Sequence, residues 1–398
     1  MNNIISEIKK FWIVKYAWVL LFSIFMFILA DTSFYSVNVF TGTARLMICI
    51  LISLLVYFST KSSRTNQKQL LILIVAVTSI ILSSLLYNSI KSGLILIICM
   101  IPAYIISIRC PLRLVIYVYN KVIYFLAIWA LFGYFLTLVQ PGIIHLFPSM
   151  VSDVRDYSVY NLIFSVASGN PYVIRNYGIF WEPGTYSIFL NMSLLFNLFG
   201  VNKLDKWNVV VLVISIVSTM STLGIVCMML LFATFLLSNN KITTFGMKVF
   251  FIAVLIVAFL ITIIYGDEFL FHVFGKLTDE DNASTLTRTA SIIYVTESFL
   301  DNWLLGMGME NFNILQEEKC FNMATCTPLN WITVYGVVAF IYIIGLLKFF
   351  MKFSTNVFSK CLFVMFGLII FSTENFLQIP FVYYFIFEGY KSGKISYA

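Results

Sequence analysis

Along this chain, apolar residues do not alternate with polar ones at the period of a half-buried strand or of an amphipathic helix. They run on, in blocks close to the roughly 20 residues that a helix needs to cross hydrocarbon. Blocks occupy residues 13–30, 43–59, 69–87, 92–108, 113–139, 184–200, 207–220, 222–238, 246–265, 327–350, 360–372 and 375–389. The pattern predicts an all-α, polytopic membrane protein with about twelve spans. Two blocks admit another reading: 207–238 as one long tilted helix instead of a hairpin, and 360–389 as one segment broken near Glu374. Met1–Phe11 is short and polar, with Lys9 and Lys10 ahead of the first block and no small-residue cleavage site after it. That block therefore reads as a retained first span, not a cleaved signal peptide.

Composition agrees. The chain has 398 residues, 61% of them hydrophobic, 17% aromatic and only 11% charged, far below the roughly one-quarter charged content of a soluble domain. Such a chain cannot cover its own surface with polar groups, so lipid is the expected solvent for most of it. The net charge of +7 does not point to nucleic acid. Its basic residues fall mostly in short loops on one side of the predicted bundle, Lys61, Arg64, Arg109, Arg113, Lys203, Lys206, Lys241, Lys348, Lys352 and Lys391 among them. That asymmetry predicts both termini in the cytoplasm, and it favours the hairpin reading of 207–238. Lys121 is left within the long fifth block, where its head snorkels.

The divisions that follow are five spans in residues 1–139, a large outer loop at 140–183, central spans at 184–265, a second large outer loop at 266–326, and the remaining spans and tail at 327–398. Both large loops carry aromatic and apolar residues, which predicts order and, at that length, a function. Within the second, Asp281, Asn282 and Ser284 are capping candidates for an interfacial helix near 285–300. There Arg288 shares a face with Ile292, Val295 and Phe299. Reaching an anionic group and snorkelling to lipid phosphate are both open to that arginine.

Candidate chemistry gathers where the first loop enters the sixth span, in Arg175-Asn176-Tyr177-Gly178-Ile179-Phe180-Trp181-Glu182-Pro183-Gly184. Arginine offers a rigid fork for phosphate, and a carboxylate serves as a base or orients a sugar hydroxyl. A plain interfacial aromatic belt, with Pro183 in the first turn of a helix and Glu182 at its positive end, accounts for the same residues.

The order Arg-x-x-Gly-x-Phe-x-Glu-Pro, then Ser218-Thr219-Met220-Ser221-Thr222-Leu223-Gly224, then Arg288, then Leu305-Gly306-Met307-Gly308-Met309-Glu310-Asn311-Phe312 resembles the O-antigen polymerase branch of the O-antigen polymerase and ligase superfamily, over roughly residues 175–375. The resemblance implies a GT-C-like, metal-independent inverting glycosyltransferase without cofactors. Its substrates would be undecaprenyl-diphosphate-linked oligosaccharides, its setting the bilayer of the bacterial inner membrane, and a chain-length regulator a further partner. It implies Arg175 and Arg288 as a clamp for the diphosphate, assisted by Lys276. Glu182 would be the base, with Glu374 and His272 as weaker candidates, and Tyr177, Trp181, Asn311 and Glu374 would contact substrate. The ligase branch typically carries a histidine in a late outer loop or at the start of the following span, whereas Thr325-Cys326-Thr327-Pro328-Leu329-Asn330-Trp331 has none.

A ligase, and a flippase or transporter for the lipid-linked glycan, remain alternatives. Against transport, nearly every charge lies at a block end or in a loop and no internal repeat is visible. Asp279-Glu280-Asp281 reads as an acidic turn capping the next helix, and Gly306-Met307-Gly308 as a tight turn. His145 and His272 read as ordinary interfacial residues. Ser218–Gly224 reads as a close-packing turn, or else as the wall of a cavity beside the diphosphate. Cys320 and Cys326 are the cysteines in an outer loop, and their spacing suggests a small disulfide loop.

Overall fold

The structure, a computed structural model, describes residues 13–23, 33, 42–59, 67–151, 158–169, 174–200, 204–237, 283–320 and 324–392. Helices α1 (Ile13–Ser23), α2 (Gly42–Ser59), α3 (Gln67–Leu86), α4 (Ile90–Arg109) and α5 (Leu112–Val139) come first. A 3-10 helix (Pro141–Leu146) and strands β1 (Ser149–Val151), β2 (Ser158–Asn161) and β3 (Val166–Ser168) follow. Then come α6 (Pro183–Phe199), α7 (Lys206–Ser218), α8 (Thr222–Leu237), α9 (Ala283–Asp301), α10 (Gly308–Lys319), α11 (Thr327–Tyr335), α12 (Ala339–Met351), α13 (Val357–Phe371) and α14 (Pro380–Gly389). Among the described residues, Gln67–Leu86, Ile90–Arg109, Leu112–Val139 and the continuous stretch Thr327–Met351 are long and apolar enough to cross a bilayer, and shorter apolar helices accompany them. This is a multi-pass helical membrane protein. The expected span at 246–265, together with His272, Lys276 and Asp279–Asp281, lies outside the described residues.

Two helices form the centre. Every residue of α14 is buried, as is α6 from Thr185 to Phe199. Their rings interlock with neighbours: Tyr119 stacks on Phe381 at 4.9 Å, Phe349 on Phe385 at 4.5 Å, and Phe199 meets Phe363 edge-on at 4.8 Å. Because α6 meets other helices all round, its polar residues bond to those neighbours. Asn191 donates to the Gly224 carbonyl, Ser193 to Asn120 Oδ1, and Asn197 Oδ1 accepts from Asn208. In an apolar surround such bonds serve to hold helices in register.

Both ambiguous blocks are antiparallel pairs. The start of α7 meets the end of α6 through Asn208 and Asn197, whereas its last residue, Ser218, lies beside Asn176. Gly224, opening α8, then packs on Ser187, and Phe235 reaches Phe199 at 5.7 Å. The chain therefore reverses at Thr219–Ser221, where Met220 has φ 50°. Likewise α13 carries the chain from Phe363, beside Phe199, to Phe371, beside Phe376, and α14 returns it.

The all-α expectation misses a sheet. The loop after α5 contains a three-stranded antiparallel sheet in the order β1-β2-β3, with Met150 opposite Val159 and Tyr160 opposite Ala167. One face carries Val159 and Val166 against Tyr177. The other carries Ala167 against Ile144 and Leu162. Only three or four residues per strand alternate, too few to show against the surrounding apolar blocks.

The end of the bundle opposite the sheet is basic. There Lys391 pairs with the buried Glu388 at 2.5 Å and donates to the Ser107 carbonyl, while Lys352 donates to the Glu388 carbonyl. These bonds tie the last turn of α14 to α4 and α12. Directly beyond Glu388, Gly389 crosses Gly345 so closely that a methyl on Gly389 would lie 1.9 Å from the Gly345 carbonyl oxygen. Gly389→Ala is therefore expected to destabilise the bundle by about 3 kcal/mol, the upper part of the overpacking range, and a thermal melt in detergent against Gly367→Ala, which meets a movable Phe350 ring instead of backbone, checks it.

Candidate functional site

At the sheet end, the segment before α6 is built around one turn. The α7 helix ends with carbonyls that have no helical partner. Arg175 supplies donors to this region: Nε donates to the Thr219 carbonyl at 2.9 Å and a terminal nitrogen to the Met220 carbonyl at 3.1 Å. Asn176 adds two bonds, from its backbone to the Ser218 carbonyl at 3.0 Å and from its amide to Ser218 Oγ at 2.9 Å. Its Oδ1 accepts from Gly178 N at 3.1 Å. Gly178 has φ +57°, and a methyl there would lie 2.8 Å from the Tyr186 ring. The motif glycine is thus required twice over, for its backbone and for the ring beside it.

Beyond Gly178, Phe180 turns back through a bond from its amide to the Tyr177 carbonyl and stacks on Phe189 at 4.6 Å. Glu182 is the N-cap of α6 and Pro183 takes the first turn, but the Glu182 carboxylate makes no capping bond. Glu182 thus stands at the positive end of the helix, the place the aromatic-belt reading gives it. A second carboxylate approaches the same helix start: a methyl on Gly184 would lie 3.3 Å from Glu374 Oε1.

Glu374 is positioned by the α13–α14 turn. Its carbonyl accepts from Thr327 N at 3.2 Å and Thr327 Oγ1 at 2.6 Å, and that hydroxyl oxygen accepts from Phe376 N at 2.9 Å. Beside it, Asn375 donates to Gln316 Oε1 at 3.5 Å, which also accepts from Ala324 N at 3.2 Å. While Arg175 clasps the α7–α8 turn, whose Ser221 hydroxyl lies 3.3 Å from that of Ser187 early in α6, Glu374 reaches the start of that helix, where Glu182 is the N-cap. Gln316, Asn375 and Thr327 border it, and none of the three stood out in the sequence.

The remaining candidates are placed differently. Tyr177 is buried against Val159 and Val166, so its ring supports the segment from beneath, and Trp181 packs half-buried on the same cluster. Asn311 folds back to donate to the Met307 carbonyl at 3.0 Å, near the start of α10. Its stretch is a docking turn. Gly306 and Gly308 have φ +72° and +76°, a methyl on Gly306 would strike the Val334 carbonyl at 2.3 Å, and Met307 N donates to the Thr333 carbonyl. Arg288 lies in the first third of α9, one turn before Ser291, whose hydroxyl accepts from Thr325 N at 3.1 Å. On that helix Val295 is buried, as expected, but Ile292 is exposed, so the packed line runs through Ser291 and Val295. His145 lies in the last turn of the 3-10 helix, edge-on to Tyr160 at 5.2 Å.

The cluster at 218–224 is a close-packed turn: a methyl on Gly224 would lie 2.6 Å from Ser187 Cβ, and Ser187 and Ser221 hydroxyls are 3.3 Å apart. The expected disulfide is absent. Cys320, buried at the end of α10, and Cys326, at the start of α11 with φ 75°, are both free thiols. Each occupies a helix boundary of its own, and burial raises the pKa of both, so little thiolate is present at neutral pH.

Residues 207–344 match the family model described as O-antigen ligase. The match is consistent with the O-antigen polymerase and ligase superfamily, a class of membrane proteins resembling glycosyltransferases. It takes in the turn clasped by Arg175, the helix bearing Arg288 and the Gly306–Gly308 docking turn, but not Glu182 or Glu374. No curated protein matches the chain.

A cysteine-mapping experiment follows from the thiol environments. At pH 7.5 a maleimide is expected to modify the exposed Cys361 readily, and Cys320 and Cys326 appreciably only after unfolding. Peptide masses should be the same with and without reductant, and a 320–326 disulfide mass in the untreated protein would contradict the free-thiol assignment.

Proposed function

We propose that this protein polymerises lipid-linked oligosaccharide repeat units at the extracytoplasmic face of the inner membrane, with undecaprenyl diphosphate as the leaving group. The observation that carries the reading is the approach of two carboxylates to the start of α6, Glu182 as its N-cap and Glu374 beside Gly184, with Arg175 clasping the adjoining α7–α8 turn in the stretch that matches the family.

In the proposed reaction a hydroxyl of the incoming lipid-linked unit attacks the anomeric carbon at the reducing end of the growing chain. The new glycosidic bond forms as the bond to the diphosphate oxygen breaks, and the configuration inverts. Glu182 accepts the proton of the attacking hydroxyl, while Glu374, across the same helix start, orients the acceptor sugar. Negative charge grows on the departing diphosphate. Arg175 is the cation for it, with Arg288 and Lys276 completing the clamp. The backbone amides at the start of α6 add a positive helix end to that field.

Arg175 suits this role because the carbonyls of Thr219 and Met220 fix its plane. A preset guanidinium needs no reorganisation as charge develops. Trp181 offers the partly exposed aromatic surface on which a sugar ring packs. The second reading is the ligase that moves finished polymer onto a lipid acceptor, supported by the match of residues 207–344 to the O-antigen ligase family. It shares the clamp and differs in the acceptor. A stretch at 325–331 without histidine favours the polymerase.

The test is the O-chain length distribution in cells lacking this gene, complemented with wild type, Arg175→Ala or Glu182→Gln. Wild type is expected to restore a ladder, whereas Glu182→Gln, expressed normally, gives a single-repeat pattern through a loss of 100-fold or more, the typical weight of a general base. Arg175→Ala is expected to give the same pattern. Absence of any surface repeat in the deletion strain, with polymer accumulating on its carrier lipid, would replace the polymerase by the ligase.

A further inference from the structure

The β2–β3 hairpin closes in an unusual way. Asn161 pairs with Val166 and Leu162 N donates to the Ser165 carbonyl at 2.9 Å, leaving Ile163 and Phe164 as the two turn residues. Both have φ 52°. Two-residue hairpin turns with two positive φ values favour Asn-Gly, because side chains, and β-branched ones most of all, are strained there. An isoleucine-phenylalanine pair accepts that strain, so what it contributes must lie outside the turn.

What lies outside is the lipid-facing side of α5. Phe164 meets Phe125 at 5.8 Å and Trp129 at 6.1 Å, both edge-on, and the Trp129 indole N–H donates to the Ile163 carbonyl. A methyl on Gly133 would lie 2.4 Å from Ser165 Oγ, so the hairpin is seated directly on the helix. Ile163 itself is 54% exposed. Around it α5 exposes Phe125, Ile128, Phe132 and Phe135, the face that a membrane-crossing helix presents to acyl chains.

Depth follows from helix geometry. Leu112 starts α5 three residues after Arg109, at the basic end, and each residue rises about 1.5 Å. Phe125 and Trp129 then lie roughly 20 Å and 26 Å along the helix, short of the roughly 30 Å of hydrocarbon. The excess length of α5 lies at the sheet end.

We propose that the tip Ile163–Phe164 is immersed in the acyl chains of the leaflet at the sheet end, so that the sheet is an anchored element of the membrane surface. The occupant is bilayer lipid, by continuity with the lipid face of α5. The anchor reaches the site directly: Val166, two residues after the turn pair, donates from its amide to the Gly178 carbonyl at 2.7 Å, and its side chain packs on Tyr177. Tip depth thereby sets the height of Arg175–Glu182 above the hydrocarbon. This inference concerns membrane placement and stands apart from the polymerase reading.

The test uses the wild-type chain in vesicles containing a phospholipid with a photoreactive diazirine on its acyl chain, followed by peptide mass mapping. Adducts are expected on Ile163 or Phe164 as well as on the Phe125–Phe135 face. Adducts on α5 without any on the hairpin would overturn the proposal. A spin label on Ile163→Cys, in a Cys361→Ser background, gives a second measurement. It is expected to collide more with oxygen than with a water-soluble nickel chelate, as a label on the exposed Ile128→Cys does. A collision pattern like that of a label on the exposed His145→Cys would place the tip in water and overturn it equally.

Discussion

The carbonyls at the end of α7 set the constraint on which the functional end depends. A chain that reverses inside an apolar bundle leaves carbonyls without helical partners, and in lipid no water is at hand to take them. Here the partners come from 42 to 45 residues upstream in sequence, from Ser218 with Asn176 and from Thr219 and Met220 with Arg175. That clasp joins the α7–α8 hairpin to the strand-like segment entering α6. With it fixed, Gly178 must turn, Phe180 stacks on Phe189, and Glu182 arrives at the start of a helix buried from Thr185 onward.

Burial of α6 explains why the arrangement holds. A helix packed on all sides has no freedom to slide without breaking the bonds of Asn191, Ser193 and Asn197 to three other elements. Its start is therefore a fixed platform. Glu374 is brought to that platform by an independent route, the turn between α13 and α14 held on Thr327. Two remote parts of the chain thus deliver carboxylates to one helix start, an arrangement that suits a site where two hydroxyl groups must be handled together.

Most of the bundle was legible because lipid imposes a blunt rule: continuous apolar blocks of the right length. The break at 219–221 was legible too, since Ser-Thr-Met-Ser-Thr interrupts an apolar run with small polar residues and the basic loop at 241–248 belongs with the others. The sheet was not, because Ser149–Val151 and Val166–Ser168 are too short for a period to register. Glu182 and Arg175 stood out as charges beside aromatics at a block boundary. Gln316 and Asn375 did not, since amides in loops are common and their meeting depends on how α10 approaches the α13–α14 turn. The six-residue spacing of Cys320 and Cys326 suggested a bond, but spacing carries no direction, and a helix boundary between them sends the two thiols into separate surroundings.

In the proposed reaction Arg175 is both a structural clasp and an anion site, and these demands reinforce each other. A flexible cation in an open loop would have to be ordered by each substrate, at an entropic cost met at every turnover. A guanidinium held in plane by two carbonyls has already lost that freedom in folding. Lysine has no planar fork that could meet both carbonyls in fixed geometry, so the choice of arginine follows from the clasp alone. In the proposed reaction that clasp makes the anion site a property of the fold, since the group that would grip the substrate is the group that closes the turn.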